Sequence, residues 1–198
     1  GDRVVGMAST SIDYLEKYSN DASIKNLGTI KEADLEAVME CEPDIIFIGG
    51  RLSKSYDALS EIAPVVYLAT DTNEGLVNSV SKNAKTIASI FGMEDKVDSL
   101  MSDFGARIDT IKKISSGKTA LVGMTTSGSF NLLGNDGRCS LIGVEAGFNN
   151  LTAVGSTSTH GNETSFETVV QQNPDYVFVM DRDSAISTAG AKTAKEIV

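Results

Sequence analysis

The chain of 198 residues is 41% hydrophobic and 22% charged, an ordinary balance for a globular protein. Its net charge of −10 argues against nucleic acid as the main partner, because phosphate binding requires a positive surface, but it leaves room for a small anion held by local arginines. The two cysteines are too few for a disulfide framework, and the sequence has no run of 18 apolar residues that could cross a membrane.

Hydrophobic periodicity predicts strands and helices that alternate along the chain, as in an α/β fold. The predicted strands cover residues 3–7, 45–48, 64–69, 118–124, 151–154 and 176–179. The predicted helices cover residues 33–41, 53–63, 74–91, 94–114, 139–147 and 165–172.

The helix predicted over residues 94–114 begins with acidic residues and ends with Lys112 and Lys113, the arrangement that the helix dipole favours. At about 1.5 Å per residue it spans roughly 30 Å, the breadth of a small domain. We therefore expect it to be a stiff connector between two lobes. Its apolar stripe consists of Val97, Leu100, Met101, Phe104, Ile108, Ile111 and Ile114.

One phrase occurs twice in the sequence. Residues 34–53, "DLEAVMECEPDIIFIGGRLS", align without a gap with residues 165–184, "SFETVVQQNPDYVFVMDRDS". Each copy predicts a helix, with Asp34 or Ser165 as its N-cap, and then a Pro-Asp break. A short apolar strand of the kind buried on both faces of a parallel sheet follows, and then a polar loop with an arginine. The repeat indicates two related lobes. The second lobe has a predicted strand and helix over residues 119–147 that the first lobe lacks before Arg3, and the second copy is followed by much less chain than the first. We therefore expect a piece of a longer protein, truncated at both ends.

Three arginines are candidate ligand-binding residues. Arg51 and Arg182 follow the two repeated strands, and ligands of doubly wound α/β sheets bind just beyond the carboxyl ends of the strands. One such arginine is readily explained as a solvated loop residue, but two at equivalent positions of a repeat favour an anionic ligand. Arg138 begins a predicted helix, where a cation opposes the helix dipole unless an anion lies nearby.

His160, the one histidine of the chain, lies in a loop rich in glycine and hydroxyl side chains. Such a loop suits the flexible wall of a cleft, but an ordinary surface histidine explains the sequence equally well. A single histidine argues against a transition-metal site built from protein ligands alone.

Four stretches of the sequence, 26–68, 134–148, 158–182 and 193–198, carry the pattern "GxIKExDxExxxxxxPDxIxxxGR" and an Arg–Arg–His–Arg set. In these features the chain resembles the substrate-binding proteins of ABC importers for iron–siderophore complexes, most closely their catecholate, enterochelin-like branch. The resemblance covers essentially the whole chain.

The resemblance implies two Rossmann-like α/β lobes joined by a long α-helix, with a ligand cleft between them. We accordingly predict an N-terminal lobe over residues 1–92, a connecting helix over 93–116 and a C-terminal lobe over 117–198. It also implies a binding protein rather than an enzyme, outside the cytoplasm, either as a cell-surface lipoprotein or in the periplasm. Its partners would be a ferric siderophore and an ABC permease, and it would be a monomer when complete, without an intrinsic cofactor.

The same resemblance assigns roles to individual residues. In similar proteins, arginines that match Arg51, Arg138 and Arg182 hold the anionic catecholate oxygens. A histidine that matches His160 can ligate the ferric ion directly when the siderophore leaves coordination sites open. Arginine suits such oxygens better than lysine, because it is always charged and presents several donors.

Two alternatives remain open at the level of the sequence. A haem- or cobalamin-binding protein of the same fold would use arginines for propionates or other polar groups. A two-lobed metal-handling enzyme would need a paired acid and base or several metal ligands, and the single histidine counts against it.

Overall fold

The structure is a computed structural model of the chain, and it describes residues 3–137, 139–152, 160–186 and 189–198. The backbone forms two compact units, Gly1–Thr70 and Asp71–Val198. The predicted lobes over 1–92 and 117–198, with a connecting helix over 93–116, stay a prediction. None of the helices in the described residues has the length and apolar character to cross a bilayer.

The first unit contains short strands and helices in alternation. Its elements are β1 (Gly6–Met7), a 3-10 helix (Asp13–Leu15), α1 (Glu16–Ser19), β2 (Lys25–Asn26), α2 (Leu35–Glu40), β3 (Ile46–Ile48), a second 3-10 helix (Gly50–Ser55), α3 (Tyr56–Ser60) and β4 (Val65–Tyr67). Strand β1 pairs with β2 and β3 pairs with β4, both in parallel. The core of this unit is built on Val38, Ile48 and Leu59, one residue each from α2, β3 and α3.

The second unit contains a helical pair followed by a larger sheet. Its elements are a 3-10 helix (Thr72–Glu74), α4 (Leu76–Phe91), α5 (Glu94–Ser115), β5 (Thr119–Thr126), β6 (Ser129–Leu132), β7 (Asn149–Asn150), β8 (Asn162–Glu163), α6 (Phe166–Gln172), β9 (Tyr176–Asp181), α7 (Arg182–Ala185) and α8 (Ala194–Ile197). Gly92 ends α4 in the left-handed conformation, with φ of 64°. Helices α4 and α5 pack against each other, and Lys85 Nζ lies 2.9 Å from Asp98 Oδ1.

Strand β5 is the centre of the sheet in the second unit. One edge of β5 pairs with β9 in parallel. The other edge pairs with β7 in parallel and with β6 in the antiparallel direction. Its side chains alternate between two buried clusters, with Leu121 in one and Val122 and Met124 in the other. The turn into β6 uses Ser127 and Gly128 with φ of 53° and 81°, the positive values that a two-residue hairpin of type I′ requires.

The structure confirms the predicted repeat units. Asp34 and Ser165, the expected N-cap residues, accept hydrogen bonds from Ala37 N at 3.0 Å and Thr168 N at 3.3 Å. The repeated strands form as β3 and β9, and the predicted helix 94–114 forms as α5.

The predicted burial of the repeated strands on both faces is wrong for part of each strand. Phe47 of β3 is 39% exposed, and Tyr176 and Val177 of β9 are 42% and 40% exposed. Burial on both faces belongs instead to β5, which has neighbouring strands on both sides and apolar clusters above and below it. Burial therefore follows the position of a strand in the sheet, which its own residues do not encode.

The helix predicted over residues 139–147 is also wrong, because the segment is a series of turns. The backbone amides of Ile142, Val144 and Ala146 donate to carbonyls three, four and five residues earlier, so no regular ladder forms. Cys139 and Gly147 have φ of 65° and 81°, which is incompatible with a continuing right-handed helix. The strand expected at 151–154 is replaced by β7 at Asn149–Asn150, and residues 153 and 154 lie outside the described residues.

A carboxylate clamps the first residue of β5 to the residue before β9. Asp175 Oδ2 accepts hydrogen bonds from Thr119 N at 2.8 Å and Thr119 Oγ1 at 3.0 Å. These bonds lower the pKa of Asp175 below the ordinary aspartate value of about 3.9. The bond from the backbone amide of Thr119 has the largest effect, the bond from its hydroxyl group comes next, and the charge of Lys118 has a smaller effect.

Asp175→Asn is expected to flatten the acid limb of the stability profile. A carboxylate with a lowered pKa in the folded state stabilises the fold above its unfolded pKa, and that contribution is lost as the pH falls through the folded pKa. The wild-type free energy of unfolding should therefore fall more steeply below about pH 4 than that of the variant, whose stability is already lower at pH 7. Urea unfolding from pH 2 to 7 measures the difference, and two parallel profiles would contradict it.

Candidate ligand-binding site

Arg182 lies where the sequence predicts a ligand contact. It is the first residue of α7 and directly follows Asp181, the last residue of β9. Strand β9 runs parallel to β5 with Thr125 opposite Asp181, so the carboxyl ends of both strands meet beside this arginine. In sheets of this kind the carboxyl edge is where ligands bind.

The Arg182 side chain is held on one edge. Nη1 donates to Thr126 Oγ1 at 3.2 Å and to Asp183 Oδ1 at 3.1 Å. Among the described residues, Nε and Nη2 make no hydrogen bond, and the side chain is 30% exposed. A guanidinium carries five N–H donors in a fixed plane, so the other edge can meet a second set of acceptor oxygens.

The carboxylate of Asp181 accepts hydrogen bonds from backbone amides and a hydroxyl group rather than from Arg182. It accepts from Ser184 N at 3.1 Å, from Ser184 Oγ at 2.8 Å and from Ala194 N at 2.8 Å. These bonds, with that from Ala194 first, lower the pKa of Asp181 below its ordinary value. Asp181 thus remains ionised through the neutral range and fixes the start of α7 as an N-cap.

Arg51 occupies the equivalent place in the first unit. It directly follows Gly50 in the 3-10 helix Gly50–Ser55, after the end of β3, and it is exposed. Within the described residues its guanidinium makes no hydrogen bond or ion pair. The local position matches the predicted one, although the connection is a 3-10 helix rather than the expected loop.

His160 is exposed and its backbone is tied to β6. Its carbonyl oxygen accepts a hydrogen bond from Asn131 Nδ2 at 2.8 Å. The following Gly161 has φ of 75°, and a Cβ added there would meet the carbonyl oxygen of Leu132 at 2.6 Å. The imidazole therefore projects from a backbone that is fixed beside the sheet of the second unit.

The structure brings two of the four predicted residues into one unit. Arg182 and His160 both belong to the second unit, at β9 and beside β6, while Arg51 belongs to the first. Arg138 lies outside the described residues. In the part of the chain that the structure describes, no group of three or more His, Cys, Asp or Glu side chains could hold a metal ion.

Sequence reasoning missed the residues that surround Arg182. Thr126 and the buried Asp183 contact its guanidinium, but the sequence predicts only a polar loop after β9. The available signal was the alternation of acid and base in Asp181-Arg182-Asp183, because two acids beside a candidate anion-binding arginine require partners of their own.

Both units place an arginine beyond the carboxyl end of a parallel strand, the edge at which α/β ligand-binding proteins hold their ligands. The chain belongs to the periplasmic binding protein family, whose model matches residues 1–198.

Three relatives have named ligands. The petrobactin-binding protein YclQ of Bacillus subtilis is 37% identical over 191 residues, which are 93% of this chain and 58% of that protein. The ferric-anguibactin-binding protein FatB of Vibrio anguillarum is 25% identical over 189 residues, 92% of this chain and 59% of that one. The crystal structure of the periplasmic catecholate-siderophore binding protein VctP of Vibrio cholerae has a TM-score of 0.87 and 29% identity, and the match covers 98% of this chain and 70% of that one.

The chain spans somewhat less than two thirds of the length of YclQ and FatB. YclQ and FatB are named for binding petrobactin and ferric anguibactin, and the family name refers to the space outside the inner membrane. The fold of the described residues is therefore that of an extracytoplasmic binding protein.

Proposed function

We propose that this chain is the ligand-binding body of an extracytoplasmic solute-binding protein that captures an anionic ferric siderophore of the catecholate type. The observation that carries the proposal is the guanidinium of Arg182 at the carboxyl edge of β5 and β9, held on one side and open on the other. Its counterpart in the repeat, Arg51, presents a second set of donors. The names of YclQ, FatB and VctP support a siderophore as the ligand, and that of VctP supports a catecholate.

The chemistry of the ligand matches these side chains. Three catecholates, each with two negative charges, surround a ferric ion and leave the complex with three negative charges. Arginines bind such oxygens through charge-assisted hydrogen bonds, which are roughly twice as strong as neutral ones. In the proposed complex, Arg51, Arg138 and Arg182 contact catecholate oxygens, and His160 ligates the ferric ion when the siderophore leaves a coordination site open.

The proposal extends to the place and partners of the protein. It acts outside the cytoplasm, in the periplasm or as a cell-surface lipoprotein, and passes the complex to an ABC permease. A lipoprotein is supported by the probable siderophore-binding lipoprotein YfiY of Bacillus subtilis, which is 32% identical over 102 residues, 50% of this chain and 29% of that one. The protein neither catalyses a reaction nor carries a cofactor of its own, and it works as a monomer when complete.

Titration with defined ligands tests the proposal. The chain has five tyrosines and no tryptophan, so tyrosine fluorescence or calorimetry reports binding directly. A ferric tris-catecholate is expected to bind at one site with a Kd below about 1 μM. A ferric hydroxamate without the threefold negative charge is the matched ligand control and is expected to bind more weakly. Tighter binding of haem or cobalamin than of the ferric tris-catecholate would contradict the proposed ligand. So would a failure to bind either ferric siderophore.

A further inference from the structure

Asp183 is a buried acid with two separate partners. Asp183 is 2% exposed, and its two carboxylate oxygens accept hydrogen bonds from different donors. Oδ1 accepts from Arg182 Nη1 at 3.1 Å, and Oδ2 accepts from Ser127 N, in the turn between β5 and β6, at 2.6 Å. An aspartate in this environment needs both partners, because a buried charge without a partner is strongly destabilising.

The two ends of the β5–β9 pair are fastened in the same way. Before β9, Asp175 accepts from the backbone amide of Thr119, and after β9, Asp183 accepts from the backbone amide of Ser127. Each acid also accepts from a cation, Asp175 from Lys118 Nζ at 3.5 Å and Asp183 from Arg182 Nη1 at 3.1 Å. The two clamps differ in burial, because the side chain of Asp175 is 40% exposed and that of Asp183 is 3% exposed. The clamp at the carboxyl edge is therefore the one that holds its cation, the candidate ligand-binding arginine, against a buried carboxylate.

The hydrogen bonds of Nη1 show how the guanidinium of Arg182 is oriented. Thr126 Oγ1 and Asp183 Oδ1 both accept from Nη1, so they fix one corner of the guanidinium plane against the hairpin. The plane of five donors is rigid, and fixing one corner sets the direction of the remaining N–H groups. An arginine that is held before its ligand arrives loses less side-chain entropy on binding.

We propose that Asp183 is a positioning residue for ligand capture, which orients Arg182 by holding Nη1 and by anchoring this corner to the β5–β6 turn. The inference rests on the proposed function, since it assigns a role at the same site. Asp183 itself does not touch the ligand. The negative charge of Asp183 partly offsets the positive charge of Arg182. Recognition at this site therefore depends on the direction of the Arg182 hydrogen bonds as well as on the charge of the ligand.

A double-mutant cycle tests this role. Asp183→Asn keeps the size of the side chain and an oxygen for Ser127 N, but it removes the charged acceptor of Nη1. Affinity for a ferric tris-catecholate is measured for each of the four proteins of the cycle. Because Asp183 is buried and salt screens it little, the Arg182→Ala background reports the direct repulsion between Asp183 and the ligand. The variant is expected to bind about five- to tenfold more weakly than the wild type, whereas the same change in the Arg182→Ala background is expected not to weaken binding further.

Two further variants keep the test decisive. Thr126→Val removes the second acceptor of Nη1 with little change in shape and is expected to weaken binding about two- to fivefold. Asp175→Asn removes the matched clamp at the far end of the strands, and is expected to lower the thermal midpoint without changing the affinity.

The outcomes separate the inference from the proposed function. If Asp183→Asn binds as tightly as the wild type while Arg182→Ala binds weakly, or if Asp183→Asn weakens binding equally in both backgrounds, the positioning role is wrong. If Arg182→Ala itself binds as tightly as the wild type, the proposed use of this site is wrong.

Discussion

Replacing Arg51 or Arg182 by alanine is expected to raise the Kd for a ferric tris-catecholate by about 10- to 100-fold in each case. Hydrogen bonds to charged groups contribute about 1.5–3 kcal/mol each, and about 1.4 kcal/mol corresponds to a factor of ten. Both arginines follow the carboxyl ends of repeated strands, so we expect losses of similar size from the two units. Isothermal titration of the two single variants and the double variant measures them.

Matched variants separate contact from charge. Lys54→Ala removes one exposed cation from the same 3-10 helix as Arg51, and is expected to change the Kd less than about threefold, as screened surface charges do. Arg182→Lys keeps the charge but loses the planar donors, and is expected to retain only part of the affinity. If Lys54→Ala weakened binding as much as Arg51→Ala, net charge rather than direct contact would explain the effect.

The secondary structure within the two copies of the repeat was largely predictable from the sequence. In both copies the helix, its N-cap and the Pro-Asp break are local features, determined by residues within a few positions of one another. Asp34 and Ser165 cap their helices as expected because capping requires only a side-chain oxygen and the next turn of amides. Helix α5 was predictable for the same reason, since its period and its charges lie within one segment.

The predicted apolar stripe of α5 shows the limit of such local reasoning. Ile108 is buried at 9% exposure, while Leu100 and Ile114 of the same stripe are 58% and 65% exposed. The period correctly identifies the apolar side of the helix. Which part of that side is covered depends on the elements that pack there, and these are distant in sequence.

The failed prediction over residues 139–147 has a different cause. The segment has helical periodicity, but Gly143 and Gly147 weaken a helix, and the left-handed conformation at Cys139 starts it in a different direction. The carbonyl of Ala146 instead accepts a hydrogen bond from Ser115 Oγ of α5. Tertiary contacts thus decide a segment whose intrinsic preference is weak.

The positions of Arg51 and Arg182 at the ends of the repeated strands were predictable from the sequence. The residues that hold Arg182 in place were not. Arg51 and Arg182 stand out because the repeat aligns them, whereas Asp183 and Ser127 are separated by 56 residues and meet only through the pairing of β5 with β9. A buried acid beside an arginine is not visible from composition or period. The residues that orient a functional side chain therefore emerge only from the fold.

Leu121→Ala is expected to lower the free energy of unfolding of the second unit by about 3–5 kcal/mol. Leu121 is fully buried in the middle of β5 and packs with Phe130 and Leu132, so truncation leaves a cavity in addition to losing apolar contact. This loss is large against the roughly 5–15 kcal/mol that stabilises a typical domain. Urea unfolding followed by circular dichroism measures it.

Val177→Ala is the matched control, because Val177 lies directly opposite Leu121 in the β5–β9 pair. Val177 is 40% exposed, so its truncation loses little buried surface and is expected to cost less than about 1 kcal/mol. Equal losses from the two variants would mean that strand pairing, not the buried cluster, stabilises this sheet. A large difference would locate the stability in β5, the strand whose carboxyl end carries Thr126 toward Arg182.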